Sequence, residues 1–204
     1  MGVLGRLEFG ESTPARGWCP KKGGCTTEWV EALAVEGEGL GRSRGGLTSK
    51  IHLAVDGRGL PMSILVTPGQ AGDNPELLAL LDQVNVHPIG SGSPRSKPRR
   101  VIADKAYSHP STRRALRARG IAFTCPERSD QIARRKARGT VGGRPPAFDS
   151  VIYKRRNVVE RCFGRLKQFR GLATRYAKRV AYYRAEVVIA TIALWLRHDS
   201  QDTP

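Results

Sequence analysis

"GRSRGGLTSKIHLAVDGRGLPMSILV", Gly41 to Val66, holds two runs of strand-forming sequence joined by turn residues. "GRSRGG" at 41–46 reads as a loop. After it Leu47, Ser49, Ile51, Leu53 and Val55 alternate with Thr48, Lys50, His52, Ala54 and Asp56, a period of two that predicts a strand. "DGRG" supplies Asp-Gly turn chemistry and "LPMSILV" the returning strand, so this stretch predicts a hairpin, with Asp56 as a turn residue.

Working outward, "TPGQAGDNP" leads to Asp73 or Asn74 as an N-cap with Pro75 at the first helical position, and "ELLALLDQV" follows as a short helix. A linker, "HPIGSGSPRSKPRR", precedes "VIADKAY", an apolar run that predicts a short buried strand with Asp104 at its far end. "PSTRRALRARG" is helical and stopped by Gly120, and "IAFTC" reads as another strand. Residues 126–147 are basic and rich in Gly and Pro, and predict a loop. Asp149 or Ser150 then caps a helix that Gly171 ends. At 100° per residue, Val158, Val159, Cys162, Leu166 and Phe169 form its apolar stripe, and Tyr153, Arg156, Glu160 and Lys167 a neighbouring one. "AYYRAEVVIATIALWLR" predicts a buried C-terminal helix. The order of strands and helices means an α/β protein: a mixed sheet with helices on its faces.

Composition bounds the partners. The chain has 204 residues, enough for one domain, and thirty-five Lys and Arg against eighteen Asp and Glu give a net charge of +17. A charge so far from zero attracts polyanions, and "RSKPRR", "RRALRAR" and "RRKARG" concentrate it, which points to nucleic acid. With 6% aromatic residues, a base-stacking RNA-binding surface is not evident. The N-terminus lacks the basic-then-apolar pattern of a secretory signal, and the most apolar segment carries Arg184 and Glu186, so the sequence predicts a cytoplasmic, nucleoid-associated protein with no membrane partner. Cys19, Cys25, Cys125 and Cys162 have neither disulfide nor zinc-site spacing and read as reduced thiols.

"YKRRNVVERCFGRLK", Tyr153 to Lys167, sets one carboxylate among six cations. Alone, Glu160 with Arg156 at i−4 reads as a helical ion pair. In open α/β sheets, however, sites lie at strand ends. If Asp104 and Glu160 meet at one rim, their hard oxygens suit magnesium or manganese, the arrangement that serves phosphoryl transfer.

Tyr153-x2-Arg156-x3-Glu160-x6-Lys167 resembles the signature of the DDE transposases of bacterial insertion sequences, in the insertion-sequence-four and insertion-sequence-five groups. "VIADKAYS" is similar to the segment carrying that family's second catalytic Asp, and Gly41–Asp73 to the hairpin before it. The resemblance spans roughly Gly41 to Arg197 and implies a ribonuclease-H-like core in which three carboxylates bind two Mg2+ or Mn2+ ions. Such an enzyme nicks double-stranded DNA at element ends and joins the freed 3′ hydroxyl to target DNA. Carried over by position, Asp104 is the second catalytic carboxylate and metal ligand and Glu160 the third. Arg156 and Lys167 then contact DNA phosphates, and Tyr153 helps position the strand.

The chain departs from this pattern at its start. The family's first Asp belongs on a strand before the hairpin, and no Asp occurs before Asp56. Residues 1–40 read as an atypical, partly disordered segment, and 41–204 as an incomplete catalytic domain lacking or replacing its first central strand. Val3, Gly5, Leu7 and Phe9 alternate and lead to "GEST", which offers Glu11 as the missing carboxylate; Arg6 and Glu8 speak against a central strand there. On this reading the chain is an N-terminally truncated transposase, active where a first carboxylate is supplied. Otherwise it is a DNA-binding remnant that pairs with intact transposase, or with itself, and inhibits in trans.

Overall fold

Strand-forming residues build a hairpin where its sequence places it, while the stretch 41–46, expected as a loop, opens with a further strand at Gly41–Ser43 that pairs antiparallel with Gly46–Thr48. The structure, a computed structural model, describes residues 2–10, 39–43, 46–87 and 93–199, with the backbone alone for 2–10 and 199. Its strands are β1 (Gly2–Gly10), β2 (Gly41–Ser43), β3 (Gly46–Val55), β4 (Pro61–Pro68), β5 (Arg100–Ala103) and β6 (Ala122–Thr124). Their order is β2-β3-β1-β5-β6, with β4 also paired to β3. Between β3 and β4 the Asp56 carboxylate accepts from the Arg58 and Leu60 N–H groups, both at 2.9 Å, which is the turn role its sequence predicts.

β1 fills the central place that the sequence leaves in doubt. It runs parallel to β5 with Gly2, Val3 and Leu4 opposite Val101, Ile102 and Ala103, and β5 runs parallel to β6. The objection raised by Arg6 and Glu8 loses force in this register, because both lie beyond the residues paired with β5. Glu11, Cys19 and Cys25 lie outside the described residues.

Helices α1 (Asp73–Asp82), α2 (Pro110–Ala118), α3 (Ser129–Ala137), α4 (Ser150–Lys154), α5 (Asn157–Lys167), α6 (Arg170–Thr174) and α7 (Val180–Asp199) follow the strands, with 3₁₀ turns at Lys105–Tyr107 and Gly139–Gly142. Several differ from expectation. α1 begins at Asp73 itself, with Gly72 at the cap position, so Pro75 is its third residue; the Asn74 side chain instead accepts from the Thr112 hydroxyl at 2.8 Å. Residues 126–147 contain α3, whose Gly- and Pro-rich flanks obscure its helical centre. The single helix expected after Asp149 is three, and Gly171 lies inside α6 rather than ending the run. α7 buries Tyr183, Val187, Ala190 and Leu194 but exposes Tyr182, Ile189, Ile192 and Leu196, so it is buried on one face only. No helix among the described residues is long and apolar enough to cross a membrane.

The chain groups into two compact units. One comprises Met1–Gly5, His52–Ile64 and Gly72–Cys162, the other Arg6–Ile51, Leu65–Ala71 and Phe163–Pro204. In the first, β5 contributes Val101, Ile102 and Ala103, all fully buried, and α1 contributes Leu77 and Leu80. The Ser63 hydroxyl donates to the Leu80 carbonyl at 2.8 Å, and buried His52 lies 3.3 Å from the Tyr107 hydroxyl. In the second, Tyr183 donates to the Leu172 carbonyl at 3.2 Å, and the buried Arg175 guanidinium lies 5.0 Å from the Tyr183 ring centroid. Buried Lys50 donates to the Ala71 carbonyl at 2.6 Å.

Gly120 ends α2 as its sequence predicts. It has φ +65, and paired bonds close the helix: Gly120 N–H to Arg117 C=O and Ile121 N–H to Leu116 C=O, both 2.9 Å. An added Cβ meets only the flexible end of Lys97, so the cost of a side chain here is conformational. Gly120→Ala is expected to lower stability by about 1–2 kcal/mol and Gly120→Asn by less, measured by denaturant unfolding; equal stability of Ala and Gly would show that the left-handed conformation is not held in solution.

Candidate active site

β5 is apolar from Val101 until the chain leaves the sheet, and Asp104 is the first residue out. Its backbone is extended (φ −66, ψ 161), and its carboxylate caps the 3₁₀ turn by accepting from the Lys105 N–H. The adjacent strand ends alongside: Ile102 pairs with Thr124, and the next residue, Cys125, donates its thiol to the Asp104 carbonyl at 3.2 Å. Burial pushes the Cys125 pKa up to about 12, against the pull of Arg113 and with a further push from Asp104, so the thiol stays protonated and remains a donor. Arg113 of α2 donates to the carbonyls of Ser108 and Cys125, at 3.4 and 2.7 Å, tying both strand exits to one helix.

α4 starts where Asp149 Oδ1 accepts from the Ile152 N–H at 3.0 Å. The helix then tightens: Arg155, Arg156, Val158 and Val159 each donate three residues back, to Ile152, Tyr153, Arg155 and Arg156. Tyr153 thus lies on α4, Glu160 on α5 and Arg156 at the joint. The Arg156 guanidinium is 5.7 Å from the Tyr153 ring centroid and donates to Glu160 Oε1 at 2.5 Å. Phe148 packs on the far side of the sequence from this joint, its ring 5.3 Å from that of Tyr153. Of the predicted apolar stripe, Val158, Val159, Cys162 and Leu166 are buried, whereas Phe169 is half-buried and lies beyond α5; Phe163, outside the stripe, is buried as well.

Asp104 shares this neighbourhood. Burial raises the Tyr153 pKa; Arg156 opposes the rise and the charge of Asp104 adds to it. For Arg156, burial works downward, but the Glu160 hydrogen bond and the charges of Tyr153, Glu160 and Asp104 outweigh it, and the net direction is up. Four of the five residues singled out by sequence thus lie in the first unit: Tyr153 and Glu160 linked through Arg156, and Asp104 acting on Tyr153 and Arg156 through its charge. Lys167 is the exposed last residue of α5, seven positions beyond Glu160 and in the second unit. Arg113 and Cys125 escape sequence reasoning, because neither motif nor period marks a residue that acts through backbone carbonyls.

The donor chemistry suits a hard divalent cation in part. Asp104 and Glu160 each engage one carboxylate oxygen with protein, and the other has no hydrogen-bond partner among the described residues. Among the described residues no group of three or more His, Cys, Asp or Glu gathers to hold a metal ion. The residues of β1 paired with β5, Gly2, Val3 and Leu4, include no acid.

Comparison with known proteins identifies the chain's relatives. A family model described as "Transposase DDE domain" matches residues 22–196. A Brucella ovis protein named as a transposase for insertion sequence element IS6501 is 34% identical over 151 residues, covering 74% of this chain and 100% of that protein. A Burkholderia cepacia protein named as a transposase for insertion sequence element IS402 is 33% identical over 137 residues, covering 67% of this chain and 57% of that protein. No solved structure matches. With its family model spanning most of the sequence and a relative matched along its whole length, the chain belongs to the DDE transposases of insertion sequences.

Proposed function

We propose that this transposase cleaves double-stranded DNA at element ends and joins the freed 3′ hydroxyl to target DNA, in a metal-dependent reaction on a ribonuclease-H-like core. The observation that carries the reading is the Tyr153–Arg156–Glu160 cluster, whose Tyr153 and Arg156 feel the charge of Asp104 at the end of a buried parallel strand. The strand order, with β1 between β3 and β5, supports the core assignment.

Asp104 and Glu160 would hold Mg2+ or Mn2+ through their carboxylate oxygens. The bound ion would activate the attacking oxygen and stabilise the leaving one. Arg156 stays charged at every working pH and presents a planar fork that fits a phosphate. Tyr153, its pKa raised, stays a neutral phenol and serves as a hydrogen-bond donor to the strand rather than as a nucleophile. Lys167 reaches a phosphate further along α5. The Cys125 thiol and Arg113 fix the backbone at the Asp104 exit and so position the carboxylate.

Asp104→Asn and Glu160→Gln are each expected to reduce nicking of supercoiled plasmid bearing an element end on the order of 10³-fold in Mg2+ or Mn2+, with DNA affinity within about twofold of wild type. Nicking retained by either variant overturns that residue's assignment. A wild-type chain that binds DNA yet nicks in neither metal is instead the non-catalytic remnant that an incomplete triad implies. Lys167→Ala is expected to weaken binding of a duplex and lower its salt slope by about 0.9, the value for one phosphate contact; an unchanged slope removes Lys167 from the interface.

A further inference from the structure

The segment 126–147, basic enough to read as a loop, builds one wall of a cleft. α2 and α3 face each other across a cavity of about 630 Å3 in the first unit. Arg113, Arg114 and Arg117 line it from α2, and Arg128, Arg134, Arg135 and Arg138 from α3 and its ends, against only Glu127 and Asp130. Four of these guanidiniums are committed. Arg113 holds the two strand-exit carbonyls, Arg128 and Arg134 lie 3.0 and 3.1 Å from the Asp130 carboxylate, and Arg135 lies 2.7 Å from Glu127. Arg114, Arg117 and Arg138 are exposed and have no acidic or carbonyl partner among the described residues. The fold has therefore spent its acids on the cleft's framework and left three cations facing its space.

The wall behind them is firm. The 3₁₀ turn Gly139–Gly142 lies so close on α3 that a Cβ at Gly142 would stand 2.1 Å from the Arg135 carbonyl oxygen. A second cavity shares Arg113, Arg117 and Pro146 with the first and extends past Arg144 to Ala147. Both ends of this lining connect to the candidate active site through the chain: Ser108 follows Asp104 by four residues, and Ala147 precedes Tyr153 by six.

The chemistry selects the ligand. Free guanidiniums recognise phosphate oxygens through paired N–H groups. Phe123, the one Phe, Tyr or Trp in the two linings, lies under Arg113 at 5.3 Å, and the His109 ring is bound through Nδ1 to Ser111, so no stacking platform for unpaired bases is offered. We infer that the α2–α3 cleft holds the phosphate backbone of duplex DNA adjoining the strand at Asp104 and Glu160, with Arg114, Arg117 and Arg138 as its contacts. The inference rests on the proposed DNA-cleaving function and adds the surface on which the flanking duplex lies.

The test is fluorescence anisotropy of a labelled 30-base-pair duplex against salt concentration, for wild type and two triple variants. Arg114→Gln/Arg117→Gln/Arg138→Gln removes the free cleft cations; Arg170→Gln/Arg179→Gln/Arg184→Gln removes equal charge from exposed positions in the other unit. The cleft variant is expected to lose about 2 to 3 from the slope of log K against log salt, and at least tenfold in affinity near 0.1 M salt, while the control loses markedly less. Equal losses in both overturn the cleft, since net charge alone then explains them. A loss confined to single-stranded DNA or to RNA overturns it as well. If the wild type itself has no salt-dependent affinity for duplex, the proposed function fails first; if it binds and the cleft variant matches it, only this inference fails. Native-like circular dichroism and unfolding of both variants confirm that folded proteins are compared.

Discussion

Where parallel neighbours flank a strand on both sides it carries no charge, and much of this protein follows from that constraint on Val101–Ala103 of β5. Val101, Ile102 and Ala103 are buried without exposure, β1 and β6 flank them, and the first position able to hold a carboxylate is Asp104. Parallel neighbours also bring successive strand exits to one edge, which is why Cys125 at the end of β6 reaches the Asp104 backbone. A buried thiol with a pKa near 12 suits that place: it donates one weak hydrogen bond and adds no charge beside the acid.

The pattern of residues made some of this legible. β5, the β3–β4 hairpin with its Asp56 turn, the Gly120 stop and the buried stripe on α5 are local signals, and each appears where periodicity or turn chemistry puts it. Legibility failed where partners distant in sequence decide. β3 alternates, which on its own suggests one wet face, yet Ser49 to Val55 are all buried, polar members included. Lys50 and His52 are tolerated inside because Ala71 and Tyr107 lie within hydrogen-bonding reach, and no window of sequence around β3 contains either. α3 was hidden by composition: its glycines and prolines belong to the flanks, while "SDQIARRKA" is itself compatible with a helix.

The candidate site was legible as a set of residues and not as a geometry. A continuous helix from 150 onward would align Tyr153, Arg156, Glu160 and Lys167 along one stripe. The tightened turn at 155–156 replaces that stripe with a corner, Tyr153 before it and Glu160 after it, and Arg156 spans the two. The charge of +17 likewise told of a polyanionic partner but not which arginines are free to meet it. That distinction depends on where Glu127, Asp130 and two backbone carbonyls fall in space.

The same reasoning explains the crowd of cations around Glu160. Its side chain is 55% exposed, and its pair with Arg156 is an i,i+4 contact of the kind that contributes only about 0.2–0.5 kcal/mol. Such a pair does little to hold the fold, and it costs little to open. A buried, fully bonded glutamate would be structural and unavailable; an exposed one, weakly held by an arginine that can turn its fork to a phosphate, keeps its carboxylate in reserve. Under the proposed function, DNA entering beside α5 offers Arg156 an alternative anion, and Arg156 releases the Glu160 oxygen. The weakness of the ion pair is then a condition of the chemistry, and the surplus of arginine in the segment is what brings the competing anion near.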